Sequence, residues 1–132
     1  MTGETDMGTR SLTFVYDDTR RVVCMYRQFD GYPSGHGREL ATFLAGFDAV
    51  VNGLRVGETR KVANGMGCLA AQLVANFKVS SGGFYLYPTD TSDVGEEYEY
   101  HVYADKVVVK DGVGAKLFAG SWSDFTEYCK DE

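Results

Sequence analysis

The 132-residue chain predicts an α+β fold: a mostly antiparallel sheet with helices packed on one face, in the order ββααβββα. Three observations carry this. Apolar residues alternate with a period of two near the N-terminus and again after residue 84. Two stripes of helical period lie between those regions. Strands and helices do not alternate regularly, which argues against a parallel βαβ build. Residues 11–132 read as a single domain, preceded by a tail at 1–10 whose "MTGETDMGTR" has no periodicity and is expected to fray.

Taken in order, Leu12, Phe14 and Tyr16 alternate with Ser11, Thr13 and Val15, and a turn at 17–20 leads to a second strand at 21–29. That strand is largely apolar on both faces, which places it inside the sheet. Leu40, Phe43, Leu44, Phe47, Val51 and Leu54 form one helical stripe starting at Arg38, with Asn52 and Gly53 as its stop. A polar connection at 55–63 precedes a second helix, capped by Asn64, whose inner face is Met66, Leu69, Ala70, Leu73, Val74 and Phe77. Segment 84–88 is a short strand, and 97–104 alternates cleanly. Tyr98, Tyr100, Val102 and Ala104 point one way; Glu97, Glu99, His101 and Tyr103 form the outward row. Turns at 105–106 and 111–112 lead through 107–110 to 116–119. Ser121 then caps a last helix packed through Trp122, Phe125, Tyr128 and Cys129.

Composition narrows the function classes. No apolar run approaches the ~20 residues of a membrane span, and the first residues lack a signal-peptide core, so a cytoplasmic protein without a membrane role is expected. Cys24, Cys68 and Cys129 are odd in number and widely spaced, which argues for reduced thiols and against a zinc site. A net charge of -6 disfavours direct nucleic-acid binding. The charge is uneven: residues 1–89 carry nine basic and eight acidic side chains, residues 90–132 four and eleven. The acidic half can meet a basic partner, or the two halves can meet in a homodimer.

The stretch "YRQFDGYPSGHGR" at 26–38 joins a strand end to a helix start. Three glycines there suggest a phosphate cradle flanked by Arg27 and Arg38, although neither G-K-[ST] nor G-x-G-x-x-G is present. Turn chemistry accounts for Gly31, Pro33, Gly35 and Gly37; it does not account for Arg27, Asp30, Tyr32, His36 and Arg38, which suit a recognition surface. No arrangement of His, Cys and carboxylates matches a catalytic or metal-binding signature, so no enzyme activity, metal or cofactor is expected.

The run Tyr26-Arg27-Gln28-Phe29-Asp30-Gly31-Tyr32-Pro33, followed by Gly35 and Gly37, resembles a motif of an uncharacterised small-protein family of tailed phages and bacterial prophages. "GGFYLYP", "EEYEYHVY" and "LFAGSWSDF" are similar in kind, and Gln28 stands where the family commonly has His. The resemblance implies a phage-derived accessory protein acting in a host cytoplasm. Such a protein would bind a host protein or complex, for instance as an anti-defence inhibitor. Contacts are expected from Arg27, Asp30, Tyr32, His36 and Arg38, or from Glu97, Glu99, His101 and Tyr103. The alternative is a small phosphorylated ligand, a phosphate or nucleotide, held by the 31–38 loop.

Overall fold

Residues 8–131 are described by the computed structural model. In chain order the elements begin with β1 (Ser11–Asp17), β2 (Arg20–Arg27) and a wide helical turn of π type (Pro33–Gly37) that runs into α1 (Arg38–Ala45). The short strands β3 (Ala49–Val51) and β4 (Val62–Asn64) precede α2 (Gly65–Phe77). Then come β5 (Phe84–Tyr87), β6 (Tyr98–Val102), β7 (Val107–Asp111), β8 (Lys116–Gly120) and α3 (Trp122–Lys130).

Six strands form one sheet in the order β5-β2-β1-β6-β7-β8. Its pairings are antiparallel except β1 with β6, which is parallel, so the α+β class holds with a mixed, mostly antiparallel sheet. The element order differs from ββααβββα in two places. Four strands follow α2, at the four segments the sequence marks as strands although that order counts three, and a small parallel pair, β3 with β4, separates α1 from α2. The expected long helix from Arg38 to Leu54 therefore stops at Ala45. Gly46 and the β-branched Val50 and Val51 disfavour continuing it. The Asp48 amide donates to the Lys61 carbonyl (2.7 Å) and the Lys61 amide to Asp48 Oδ2 (2.9 Å), which draws 48–51 into a strand. Asn64 does not cap α2 with its side chain; its Oδ1 accepts from the Gly53 amide instead. Ser121 does cap α3, its Oγ accepting from the Asp124 amide at 3.0 Å.

One face of the sheet packs on the helices. Val15, Met25, Tyr100, Val102, Val107 and Val109 meet Leu40 and Leu44 of α1, Leu69 and Leu73 of α2, and Phe125 and Cys129 of α3. The other face is covered too. Leu12, Phe14, Tyr16, Cys24 and Tyr26 are buried there against Tyr87, Val94 and Tyr103, so the segment between β5 and β6 lies over the sheet. Part of the expected frayed tail, residues 1–7, lies outside the described residues; the Thr9 and Arg10 carbonyls accept from the amides of Gly31 (2.8 Å) and Glu97 (2.9 Å).

Two glycines of the 31–38 loop are explained by close packing. A Cβ on Gly31 would stand 2.9 Å from the Thr9 carbonyl oxygen, and one on Gly37 would stand 2.9 Å from Cys129 Sγ. Neither has a positive φ; the left-handed residue of this loop is Asp30, at φ 61°.

Candidate functional site

Two of the five side chains expected to form a recognition surface, Arg27 and His36, are folded inward. Arg27 leaves β2 on the helix-covered face, where its Nε donates to the Phe29 carbonyl (2.6 Å) and its Nη1 to Glu39 Oε1 (2.9 Å) and His36 Nδ1 (3.1 Å). Because Nδ1 accepts, the imidazole proton sits on Nε2 and is donated to Thr13 Oγ1 at 2.7 Å. Tyr100 completes the clamp, its hydroxyl donating to the Gly31 carbonyl (2.7 Å). His36 is fully buried and Arg27 nearly so, which corrects the expectation that both face a partner. The reason is local: the π-type turn starting at Pro33 swings His36 under the chain and against the Phe77 and Tyr100 rings.

Most backbone amides of the loop are also engaged. The amides of Gly35 and Gly37 donate to the Tyr32 carbonyl, that of His36 to Asp30 (2.7 Å), and that of Arg38 to Gly35 and Pro33. A phosphate cradle needs amides free, so those of Gly31, Gly35, His36, Gly37 and Arg38 cannot serve one. Arg38 is exposed and binds the carbonyls of Cys129 and Lys130 at the end of α3. Asp30 and Tyr32 remain at the surface, paired to each other through the Tyr32 hydroxyl (3.1 Å).

Burial, and secondly the Arg27 charge, hold the His36 imidazole down to about 3, from an ordinary value of 6.5. The folded protein thus resists taking up this proton while the unfolded chain accepts it. Stability is lost as pH falls below about 6.5 and continues to fall toward 3. At pH 5.0 this loss amounts to about 2 kcal/mol. A His36→Gln variant, which keeps an acceptor and a donor but no titration, is expected to escape that part of the acid sensitivity. Urea unfolding of both proteins at pH 7.5 and 5.0 measures the difference. Parallel losses in the two proteins would contradict the assignment.

The outward row of β6 forms a second internal network. Arg21 Nε donates to the Tyr16 hydroxyl (3.0 Å), which donates to His101 Nδ1 (2.7 Å); His101 Nε2 then donates to Glu99 Oε1 (3.0 Å). The bond from His101 is the main influence holding the Glu99 carboxyl below its usual range. Burial, and next a hydrogen bond with Glu99, raise the Glu96 carboxyl above its usual range. Tyr103 stacks on Tyr16 with ring centres 4.3 Å apart. Glu99, His101 and Tyr103 are therefore brought together, but not as the solvent-facing row that alternation suggested; Glu97 alone of the four is exposed. Alternation identifies the two faces of a strand and does not show that a later segment covers the second one.

What the surface does present lies at β5, the sheet edge. Gln28 donates to the Gly83 carbonyl, and in this antiparallel register Tyr26–Tyr85 and Cys24–Tyr87 are the bonded pairs. The amides and carbonyls of Phe84 and Leu86 consequently point away from the sheet. Lys78 Nζ holds the Phe84 carbonyl (2.6 Å). Tyr85 and Leu86 are 45% and 57% exposed, large values for such side chains in a sheet. Beside them a groove of about 450 Å³ is walled by Met25, Val74, Phe84, Leu86 and the stem of Lys78. The sequence marks 84–88 as a strand but not as a site; the available signal was an uncharged "FYLY" between Gly-Gly and Pro. A second hollow, of about 640 Å³, opens between α1, the start of β5 and the end of α2, with Arg27, Arg38 and Lys61 around it.

Among the described residues no His, Cys, Asp and Glu cluster is arranged to hold a metal, and no helix is long and apolar enough to cross a membrane. No family model, no curated protein and no solved structure matches the chain.

Proposed function

We propose that the chain is a non-enzymatic binding protein that takes up an extended segment of a partner protein along β5. The observation that carries this is an edge whose own residues are uncharged, with outward backbone groups at Leu86 and the Phe84 amide, the Phe84 carbonyl held by Lys78, and an apolar groove beside it. Edge strands are ordinarily guarded by charge, irregularity or a covering element. The opposite edge, β8, begins at Lys116 and pairs with a register shift at Val109–Lys110, whereas the four residues of β5 contain neither device. Its length of about 13 Å suits a short peptide segment. It is too small for a stable subunit interface, which buries on the order of 1,600 Å². A carboxylate on the segment would meet Lys78, and an aliphatic side chain would enter the groove between Val74 and Leu86. The non-enzymatic reading is supported by His36 and His101, whose four ring nitrogens are all engaged inside the protein. The resemblance to phage and prophage proteins makes a host protein the partner to seek first, with inhibition of host defence as one outcome of binding.

An array of ten-residue peptides of alternating valine and threonine, with one aspartate walked along each, tests the chemistry. The native protein is expected to prefer aspartate at one register, by about tenfold over the aspartate-free peptide. Lys78→Glu should reverse that preference toward a lysine-bearing array. A preference that Lys78→Glu leaves unchanged would remove β5 as the contact.

A further inference from the structure

The hollow between α1, β5 and α2 is separate from the β5 groove, sharing with it only the Phe84 wall. We infer that it binds a small anion carrying a planar ring, the chemistry of a nucleoside monophosphate. Three cations, Arg27, Arg38 and Lys61, surround it against one carboxylate, Glu39, in a protein whose net charge is -6. This local excess of positive charge runs against the whole molecule and selects for a negative ligand.

The three cations are not equivalent. Arg27 is held in place by Glu39 and the Phe29 carbonyl, and Arg38 by the last carbonyls of α3, so both present fixed charge to the hollow. Lys61 has no carboxylate partner among the described residues; its Nζ rests 5.0 Å from the Phe47 ring centre, available to close on an anion. Thr42 and Asn76 add neutral hydrogen-bonding groups. Phe43, Phe77 and Phe84 supply apolar ring surface in the same wall, which suits a flat ring more than a bare inorganic ion. A volume of about 640 Å³ accommodates a mononucleotide.

This relocates phosphate chemistry from the loop backbone, where the Gly31, Gly35, His36, Gly37 and Arg38 amides are engaged, to side chains that β2, α1, the approach to β4, α2 and β5 bring together. The test is an NMR titration of the full chain with AMP, adenosine and inorganic phosphate, followed at the amides of Lys61 and Asn76. AMP is expected to give saturable shifts there, with affinity at least tenfold above adenosine and above phosphate. Lys61→Glu, a change at an exposed side chain, should weaken AMP at least tenfold without altering the rest of the spectrum. Absence of saturable shifts, AMP binding that Lys61→Glu leaves unchanged, or adenosine or phosphate binding as well as AMP, would each overturn the inference. None of these results depends on β5, because Lys78 lies outside the hollow's wall.

Discussion

Arg27→Ala is expected to cost about 3 kcal/mol of folding stability, as a residue that holds the strand-to-helix junction together. Its guanidinium serves the Phe29 carbonyl, His36 Nδ1 and the Glu39 carboxylate at once, and lies 4.9 Å from the Phe84 ring centre. Truncation leaves the buried His36 nitrogen without its donor, a loss of about 1–3 kcal/mol by itself, and removes the packing of the aliphatic stem. Glu39 is 54% exposed and regains water, so the ion pair adds little. Glu39→Gln should accordingly cost well under 1 kcal/mol. Arg27→Lys should not rescue, since one ammonium cannot reproduce the planar fork. Urea unfolding checks all three variants. Arg27→Ala within about 0.5 kcal/mol of the native protein would contradict a structural role for Arg27.

The second large effect concerns the edge. Leu86→Pro is expected to weaken binding of the aspartate-bearing peptide about 100-fold while leaving the fold intact. The Leu86 amide points outward, so proline removes no bond to β2, and edge positions of this kind tolerate it. The complex loses one backbone hydrogen bond, leaves a peptide carbonyl unpaired and forfeits the Leu86 side chain, each worth about 1 kcal/mol. Leu86→Ala keeps the amide and should lose only about tenfold at most. Fluorescence anisotropy of a labelled peptide, with circular dichroism to confirm folding, separates the two. Equal losses from proline and alanine would mean that side-chain burial, not strand addition, holds the peptide.

Much of the fold was legible in the sequence because local rules and tertiary packing agree there. The 3.6-residue stripe from Met66 to Phe77 is α2, and Ser121 with Asp124 marks the start of α3. The stripe continuing through Phe47, Val51 and Leu54 misled, since periodicity does not register that Asp48 and Lys61 join two distant short strands. The parallel β1–β6 pairing is likewise a long-range choice with no local signal. The site residues divide in the same way. Arg27, His36, Glu99 and His101 are unusual in the sequence because they are polar groups placed in the interior, and burial with every ring nitrogen satisfied is the structural outcome. The surface that β5 offers to a partner rests instead with Tyr85, Leu86 and the neighbouring Lys78, ordinary residue types made unusual by their position at an unpaired edge.

Amide hydrogen exchange at β5, with and without saturating aspartate-bearing peptide, tests strand addition most directly. Tyr85 and Tyr87 are already bonded to β2 and should hardly change, while the outward amides of Phe84 and Leu86 should slow at least tenfold on binding. Saturation by the peptide with the Leu86 amide exchanging as fast as before would contradict the account.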